Sequence, residues 1–413
     1  MKVIIVGAGI GGLTTALSLF EAGIESRIFE AASAVAGLGL GINLQPIAVR
    51  ELAELGLADK LAAAAAPIEE LAFYNRHGQR IWSEPRGLAG GFHWPQYAIN
   101  RGALQALLHE ALRARGGEAT VVTGHALVDF EQDATGVTAH FVDSKSGRRS
   151  HSERGDVLIG ADGLHSVVRE RFYPRQALTF AGQMMWRSSL PVPPYLGGRT
   201  MIMAGHRNQK FVAYPMSPLA DGNVVLNWIA ELGTTGEASP REEWNRRVDK
   251  ALFADRFRTW KFDWLDIPSI IDRAQAIFEF PKVDRDPVSR WTFGRVTLLG
   301  DAAHPMQPVG SQAGSQAIVD ARAVACRLAK GDPVGALTQY ESERLPLMRA
   351  IALQNRAMGA EAMLELAEER APDGFSDIND VLPQAEREER SAAYSRAAGL
   401  NVESVNACSP YSP

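Results

Sequence analysis

The segment VIIVGAGIGGL at residues 3–13 decides the fold class of this chain. Val3 to Val6 form a short β-branched run, which is typical of a buried parallel strand, and apolar residues from Leu13 to Glu21 recur at helical spacing. Glycines at positions 7, 9, 11 and 12 lie between the two runs. Because each glycine costs a helix roughly 1 kcal/mol relative to alanine, the stretch predicts a strand, a tight turn and a helix. This argues against a signal peptide or a membrane helix.

The same pattern continues outward from this unit. A second strand over 26–29 ends in Glu30, and a helix over 48–55 closes with Gly56 in the C′ position. Further buried strands are predicted at 156–160 and 295–299. The sequence therefore predicts a parallel α/β sheet whose strands come from distant parts of the chain.

A different pattern interrupts these strands. Apolar and aromatic runs alternate with turn residues such as Asp221-Gly222 between about 176 and 282, which is typical of antiparallel strands. We expect a discontinuous nucleotide-binding domain at 1–68, 99–175 and 283–365, a β-rich domain at 69–98 and 176–282, and a polar tail at 366–413. Helices are expected at 312–330 and about 334–368. The tail has few large apolar residues, so we expect it to pack loosely or to move.

Composition excludes several classes of protein. The 413 residues are 46% hydrophobic and 22% charged, which is ordinary for a globular chain and excludes disorder, collagen and disulfide scaffolds. A net charge of −5 gives no general reason to bind nucleic acid or anionic lipid. The two cysteines, Cys326 and Cys408, form neither a metal cluster nor a disulfide framework. We therefore expect a cytoplasmic protein with no metal, nucleic-acid or membrane partner.

The glycine turn has the pattern G-x-G-x-x-G in the position that dinucleotide binding requires. In such turns the first glycine makes the bend, the second lets a pyrophosphate approach the backbone, and the third lets the helix pack on the strand. The helix N-terminus then presents free N–H groups to the anion. Glu30, at the end of the second strand, is placed to accept hydrogen bonds from ribose hydroxyls. This motif alone does not separate NAD from FAD.

Two further motifs separate them: GADGLHSVVR at 160–169 and GDAAHP at 300–305. With the glycine turn they occur in the order and spacing of the class A flavoprotein monooxygenases, the p-hydroxybenzoate hydroxylase-like family, which the chain resembles over about residues 1–365. The resemblance implies a Rossmann-like FAD-binding domain of the GR2 type, an inserted antiparallel β-rich substrate domain and C-terminal helices. It also implies non-covalent FAD, with NADH or NADPH and O₂ as co-substrates.

The resemblance assigns roles to particular residues. Asp301 is expected to bind ribityl or ribose-side hydroxyls, Asp162 and Arg169 to support the pyrophosphate region, and Arg101 to lie near the phosphates. An acid at a helix start also caps the helix, so both aspartates are expected to act as caps. The full set of expected FAD-binding residues is Gly7, Gly9, Gly11, Gly12, Leu13, Glu30, Gln45, Arg101, Leu127, Asp162, Asp301, Pro308, Gly310, Gly314 and Ser315.

No side chain is expected to act as a nucleophile or a base, because in this family the flavin hydroperoxide delivers the oxygen. The family histidine at His304 packs beside the cofactor. The N-terminus of the helix after residue 312 is expected to face the flavin pyrimidine and to stabilise negative charge there. Ala313 and Ser315 stand where the family often has glycine and asparagine, so the detailed contacts of this loop are not carried over.

A narrower resemblance is to phenazine monooxygenases. It rests on GINLQP at 41–46, WSEPRG at 82–87, MWR at 185–187, NW at 227–228 and VDRDP at 283–287, which lie outside the common FAD motifs. It implies a flat aromatic or nitrogen-heteroaromatic substrate resembling a phenazine carboxylate, hydroxylated with or without oxidative decarboxylation.

Candidate pocket residues come from the β-rich domain and from the loop after the third motif. They are Trp186, Arg187, Tyr214, Met216, Trp228, Pro305 and Met306, with Pro308 beside them. Aromatic residues in strands also serve as plain core, and Arg187 suits either a substrate carboxylate or a salt bridge between domains.

Other functions stay open at this point. A flavin-dependent halogenase lacks support because its W-x-W-x-I-P signature is missing; the nearest stretch is FDWLDIP at 262–268. A salicylate-, urate- or drug-type hydroxylase of the same family remains an alternative. A non-catalytic flavin-containing protein that binds an aromatic compound is a further one.

Overall fold

The computed structural model describes residues 1–35, 37, 39–174, 176–234 and 246–412. The strands are β1 Lys2–Val6, β2 Glu25–Glu30, β3 Gly41–Leu44, β4 Ala66–Ile68, β5 Glu70–Tyr74, β6 Arg80–Pro85, β7 Gln96–Asn100, β8 Val121–Thr123, β9 His125–Gln132, β10 Val137–Asp143, β11 Arg149–Gly155, β12 Val157–Gly160, β13 Thr179–Val192, β14 Thr200–His206, β15 Gln209–Pro218, β16 Val224–Gly233, β17 Arg246–Val248, β18 Lys261–Phe262, β19 Leu265–Asp266, β20 Ile277–Asp284, β21 Thr292–Phe293 and β22 Val296–Leu298.

The α-helices complete the set of elements. They are α1 Ile10–Glu21, α2 Pro46–Glu54, α3 Ala58–Ala64, α4 Arg101–Gly116, α5 Val167–Phe172, α6 Ile267–Arg273, α7 Ala313–Leu328, α8 Pro333–Arg356, α9 Ala362–Arg370, α10 Ile378–Val381, α11 Gln384–Ala397 and α12 Val402–Asn406. Within the described ranges, no helix is both long enough and apolar enough to cross a bilayer.

A six-stranded sheet carries the first motif. Its order is β21-β22-β12-β1-β2-β8, and β1 pairs in parallel with both β2 and β12. Val3, Ile4 and Ile5 are fully buried, because β1 is a central strand that lies between a layer of helices and the strands β9 to β11. The helices α1, α4 and α7 form the helical layer. The predicted α/β class with a parallel sheet is confirmed.

An eight-stranded sheet forms the second layer, in the order β17-β20-β13-β16-β15-β14-β5-β6. All of its pairs are antiparallel except β5 with β14. Since side chains alternate along a strand, this sheet presents two faces. One face, with Phe73 and Val212, joins the core of the parallel sheet, and the other, with Phe211 and Ile202, forms a second core.

Two three-stranded sheets and the two-stranded sheet β18-β19 complete the sheets of the described residues. The sheet β9-β10-β11 is antiparallel, and β3-β7-β4 places β3 between α7 and the first face of the eight-stranded sheet. Gly41, at the start of β3, touches Tyr214 and Met216 of that face. The strand β3 therefore lies between α7 and the eight-stranded sheet, near the predicted site.

The helix expected over about 334–368 is interrupted, so that prediction is wrong. The chain breaks after α8 at Met358 and Gly359, which have φ angles of 65° and 50°. A right-handed helix excludes positive φ, so the helical pattern resumes only with α9. Gly359 was the available sequence signal for this break.

The tail also differs from its expectation. Residues 378–406 contain three helices, and Leu382, Tyr394 and Val405 are buried against the body of the protein. The prediction of loose packing is wrong because Leu382, Tyr394 and Leu400 of the tail belong to the main core. Polar tethers add to them, since Arg387 Nη1 donates to the carbonyl of Ile81 at 2.9 Å.

Candidate active site

Of the four glycines in the turn between β1 and α1, only one has open space where a side chain would lie. A Cβ on Gly12 would overlap the Gly7 carbonyl, and one on Gly7, where φ is 100°, would lie 2.6 Å from the Ala161 carbonyl oxygen. A Cβ on Gly11 would lie 2.7 Å from Leu299. A Cβ on Gly9 would have no neighbour within 4 Å. The protein itself thus requires three of the glycines, and the space over Gly9 suits the pyrophosphate that such turns bind.

Glu30 stabilises this turn. Its Oε2 accepts from the Ala8 N–H at 2.7 Å and its Oε1 from the Ala32 N–H at 2.8 Å. Gln105 Nε2 donates to the Ala8 carbonyl at 2.7 Å. Each carboxylate oxygen keeps a second lone pair, so the side chain still suits the predicted hydrogen bonds from ribose hydroxyls.

Arg101 lies at the start of α4, one helical turn before Gln105. Residues four apart share a helix face, so Arg101 lies on the side of α4 that contacts the glycine turn. Its side chain is exposed, and within the described residues its guanidinium makes no hydrogen bond or ion pair. The guanidinium is therefore available to a phosphate, as the resemblance implies.

Leu13 and Leu127 are placed differently from the other predicted cofactor residues. Both side chains are buried in the main core, and the Leu13 N–H bonds to the Gly9 carbonyl at 3.0 Å. The structure gives these two side chains a packing role.

The second motif connects to the third. Asp162 accepts from Ser166 Oγ at 2.5 Å and from the Val168 N–H at 3.2 Å. The N-cap of α5 is Ser166, which accepts from the Arg169 N–H at 2.9 Å, so the prediction of Asp162 as the N-cap is wrong and Asp162 supports the cap from behind. Burial raises the pKa of Asp162, and the hydrogen bonds that Asp162 accepts oppose that rise.

Arg169 of the same motif is almost wholly buried, and its Nη1 donates to the carbonyls of Ala302 and Ala303 at 2.8 and 2.9 Å. Burial, with the nearby charge of Arg285, lowers the pKa of Arg169 to about 10, which leaves it protonated at neutral pH. Its hydrogen bonds hold the third motif against the second.

Asp301 lies in a short 3₁₀ helix, Gly300–Ala302, and is half-buried. In the described parts of the chain its carboxylate makes no hydrogen bond or ion pair. The expected capping role of Asp301 is therefore not seen. A half-buried carboxylate without a partner is a suitable acceptor for ligand hydroxyls.

His304 is fixed behind the third motif. Asp320 accepts from His304 Nε2 at 2.5 Å and from Arg344 Nε at 2.7 Å. Burial alone would raise the pKa of Asp320, but the charges of His304 and Arg344 outweigh it and hold that pKa below its usual range. His304 Nε2 is bonded to a buried carboxylate, and its Nδ1 is buried and has no hydrogen-bond partner among the described residues, so the exclusion of His304 as a base stays a prediction.

The loop before α7 is clamped to residues after β3. Gln45 is buried, its N–H bonds to Ser315 Oγ at 2.9 Å, and its Nε2 donates to the Gly310 carbonyl at 3.0 Å. A Cβ on Gly314 would overlap Ile42. The predicted loop residues Gly310, Gly314 and Ser315 are thus brought together with Gln45 at the N-terminus of α7, whose free N–H groups favour negative charge nearby.

Three of the predicted pocket residues meet around the Gly41 peptide. Arg187 Nη2 donates to the Gly41 carbonyl at 2.8 Å, and a Cβ on Gly41 would lie 2.7 Å from Met216 and 2.8 Å from Tyr214. Asn227, part of the NW segment but not among the predicted pocket residues, accepts from the Gly41 N–H at 2.7 Å. Arg187 therefore joins the sheet to β3, and we call Gly41, Arg187, Tyr214, Met216 and Asn227 the Gly41 cluster.

Trp186 and Trp228 are not in this cluster, which corrects the predicted pocket. Trp186 stacks on Phe253 at 4.7 Å between ring centroids, and Trp228 is fully buried on Phe211. Both tryptophans belong to the second core. The reason is strand alternation, because each is adjacent in sequence to a cluster residue and must point to the opposite face.

Pro305 and Met306 are buried in the loop after the third motif, whereas Pro308 is exposed. Gln307, which lies between Met306 and Pro308, is fixed by two hydrogen bonds. Its Nε2 donates to Asp284 Oδ2 at 3.3 Å, and its carbonyl accepts from Asn355 Nδ2 at 3.1 Å. The loop is therefore held by both β20 and α8.

A buried ionic group on the same sheet face was not predicted. Lys210 Nζ lies 3.1 Å from Glu231 and 2.5 Å from Glu361, and Lys282 Nζ lies 3.1 Å from Glu231. Burial alone would raise the pKa of Glu231, but the two lysines outweigh it and lower that pKa to about 2. These four residues, the ionic quartet, attach the sheet to the turn after α8. Charged residues at core-facing positions of apolar strands were the available signal.

Comparisons with known proteins agree with this geometry. A family model described as FAD binding domain matches residues 1–355. The phenazine 1,6-dicarboxylic acid hydroxylase PhzS of Lysobacter antibioticus is 44% identical over 361 residues, which cover 86% of this chain and 89% of that protein. The 3-amino-4-hydroxybenzoate 2-monooxygenase of Streptomyces cremeus is 34% identical over 416 residues, covering 97% and 96%.

Solved structures show the same fold. HpxO of Klebsiella pneumoniae, crystallised with FAD and uric acid, superposes with a TM-score of 0.75 at 24% identity, covering 98% of this chain and 97% of that one. At this identity the likeness concerns the fold alone.

Proposed function

Because the chain belongs to the FAD binding domain family and is an FAD-dependent monooxygenase, we propose that it hydroxylates a phenazine carboxylic acid or a similar flat nitrogen-heteroaromatic acid, with NAD(P)H and O₂ as co-substrates. The observation that carries the substrate class is the 44% identity, over 86% of the chain, to a phenazine 1,6-dicarboxylic acid hydroxylase. The sequence segments similar to phenazine monooxygenases support it.

The proposed reaction balances without a protein nucleophile. When bound, FAD accepts two electrons from NAD(P)H and activates O₂. One oxygen atom enters the ring as a hydroxyl and the other leaves as water. If the target carbon carries a carboxyl group, the ring–carboxyl bond breaks, CO₂ leaves and the hydroxyl takes its place with the same electron count.

The protein residues would bind the cofactor and exclude water. The open space at Gly9, the free guanidinium of Arg101 and the unpartnered carboxylate of Asp301 fit the phosphates and hydroxyls of FAD. Tyr214 and Met216 are almost completely buried and supply an apolar wall. Such a wall keeps water from a reactive site.

Buried donors in the Gly41 cluster suit an acidic heteroaromatic ligand. Arg187 Nε and Asn227 Nδ2 are buried and, among the described residues, have no hydrogen-bond partner. Asn43 Oδ1, on β3, is a buried acceptor that also has no hydrogen-bond partner among the described residues. Because buried polar groups without partners are costly, a carboxylate or a ring nitrogen of the ligand would satisfy the two donors.

The test is oxidation of NADH and NADPH by the FAD-loaded protein in air, with product masses determined. Phenazine-1-carboxylate, phenazine-1,6-dicarboxylate and 5-methylphenazine-1-carboxylate would be compared with salicylate and urate. We expect the phenazines to stimulate oxidation and to gain one oxygen or exchange a carboxyl for a hydroxyl. Stimulation by salicylate or urate alone would contradict the proposed substrate class.

One observation favours a second candidate, hydroxylation of an aminohydroxybenzoate. The relative from Streptomyces cremeus matches 97% of the chain, whereas the phenazine hydroxylase matches 86%. Adding 3-amino-4-hydroxybenzoate to the same panel separates the two candidates, because only the preferred compound raises both the oxidation rate and the yield of hydroxylated product.

A further inference from the structure

The side chain of Tyr394, on α11, is enclosed by two glycine turns. It is only 5% exposed. A Cβ on Gly310 would overlap its hydroxyl, and a Cβ on Gly359 would lie 2.6 Å from its ring. Gly310 and Gly359 have φ angles of 65° and 50°. Both turns therefore have the backbone shape and the missing side chain that let this ring enter.

Tyr394 reaches the loop before α7 by two routes. Its ring and hydroxyl contact Gly310 directly, and the carbonyl of Gly310 accepts from Gln45 Nε2 at 3.0 Å. Its hydroxyl also donates a long hydrogen bond of 3.5 Å to Asn355 Oδ1, while Asn355 Nδ2 donates to the Gln307 carbonyl at 3.1 Å. Both ends of the 307–310 segment thus depend on contacts that include this tyrosine.

The helix that carries Tyr394 is itself anchored to the β-rich part of the molecule. Arg387 donates to the Ile81 carbonyl at 2.9 Å and to Asn379 Oδ1 at 2.6 Å, and Ser391 hydrogen-bonds Glu84. The match to the family model ends at residue 355. The element that contacts the loop therefore lies outside the matched domain.

We propose that Tyr394 is a positioning residue of the cofactor site and that α11 belongs to this site. By filling the space over Gly310, the ring holds the 307–310 segment in register with Gln45 and with the N-terminus of α7. The proposal rests on the proposed assignment of this loop to FAD and does not depend on which aromatic compound is the substrate.

The test compares Tyr394→Phe and Tyr394→Ala with the control Tyr195→Phe. Tyr195 is equally buried, and its hydroxyl donates to the carbonyls of Thr200 and Ala213 at 2.9 and 3.0 Å, but it lies in the second core. Three quantities are measured on the purified holoproteins: the FAD dissociation constant on dilution, the visible flavin spectrum, and the fraction of NAD(P)H electrons released as hydrogen peroxide.

We expect Tyr394→Phe to raise the FAD dissociation constant about 2- to 10-fold, the effect of one hydrogen bond, and to shift the flavin spectrum. Tyr394→Ala should raise it about 10- to 100-fold and increase the peroxide fraction, because small displacements at a reacting centre are costly. Tyr195→Phe should lower Tm while leaving the flavin dissociation constant and spectrum at wild-type values.

The opposite pattern would overturn the proposal. If both Tyr394 variants lower Tm as Tyr195→Phe does but keep the wild-type FAD dissociation constant and spectrum, the tyrosine is structural only. If Tyr394→Ala fails to fold, Tyr394→Phe decides alone. A wild-type FAD dissociation constant and flavin spectrum in Tyr394→Phe would then show that the tyrosine is structural only. The constant and the spectrum are measured without aromatic substrate, so failure of the phenazine assay leaves this test intact.

Discussion

The glycine turn at residues 7–12 and the Gly41 cluster both depend on glycines in close contact, but their partners lie at different distances along the chain. In the turn, Gly12 packs on the carbonyl of Gly7, five residues earlier. In the cluster, Gly41 packs on residues 214, 216 and 227 and is hydrogen-bonded by Arg187 and Asn227. A motif whose contacts join neighbouring residues can therefore be predicted from sequence, whereas a site whose contacts join two different sheets cannot.

The largest expected effect concerns the sheet that carries the cluster. Glu231→Gln removes one carboxylate from the ionic quartet and leaves two buried lysines with one acid, which should cost about 3–5 kcal/mol of unfolding free energy. The pKa of Glu231 is about 2, below its usual value of about 4.5, so its contribution is present above that usual value and is lost as pH falls towards 2. Thermal unfolding between pH 3 and 7 should show a shallower acid loss in the variant.

The matched control for this prediction is Glu69→Gln. Glu69 pairs with Arg199 on the exposed side of the molecule, and exposed pairs contribute at most about 1 kcal/mol. An equal loss of Tm in both variants would show that burial of the quartet is not what matters.

The second prediction distinguishes a glycine that protein packing requires, Gly12, from one that leaves open space for a ligand, Gly9. Gly12→Ala introduces a Cβ that overlaps the Gly7 carbonyl, so we expect a loss of about 1–3 kcal/mol in stability together with loss of FAD. Gly9→Ala meets no protein atom within 4 Å, so it should keep the Tm of the FAD-free protein and still weaken FAD binding. Calorimetry and flavin titration measure both. Wild-type FAD affinity in Gly9→Ala would contradict the assignment of the pyrophosphate to this position.

The third prediction applies the same substitution to the cluster. Gly41→Ala places a Cβ 2.7–2.9 Å from Met216, Tyr214 and Asn227, which should push β3 away from the sheet. An overpacking cost of about 1–3 kcal/mol corresponds to a rise in substrate KM of roughly 5- to 150-fold. Gly39→Ala is the control, because its nearest neighbour would lie at 3.8 Å. The KM values of Gly41→Ala and Gly39→Ala are measured by steady-state kinetics. Equal KM values for the two variants would refute the proposed site.

The smallest expected effect is that of Arg187→Met. The substitution keeps the apolar stem but removes the donor to the Gly41 carbonyl and the unpartnered Nε. We expect KM for an acidic substrate to rise about tenfold, with a smaller change for a neutral analogue. Arg199→Met, in the exposed turn before β14, should change neither value. A KM increase that is the same for acidic and neutral compounds would argue against carboxylate recognition.

Much of the fold followed from local pattern. The β1-turn-α1 unit, the closure of α2 before Gly56 and the strand β12 were predictable, because each depends on residues within about one turn or one strand. The failures have specific causes. Gly359 breaks the long C-terminal helix, where Tyr394 from a later helix packs against it. The tail packs closely because Leu382, Tyr394 and Leu400 reach the main core, which exists only in the folded protein.

The sequence by itself determined the α/β class, the glycine turn with Glu30 beside it, and the three motifs that resemble those of the family, because short-range sterics and hydrogen bonds specify each of them. Only the tertiary structure decided that Arg187 and Asn227 share the face of Gly41 while Trp186 and Trp228 point away from it, that the ionic quartet is complete, and that Tyr394 contacts Gly310. The physical reason is that these contacts join residues far apart in the chain. Their positions follow from strand register and from the packing of whole layers, which no short segment specifies.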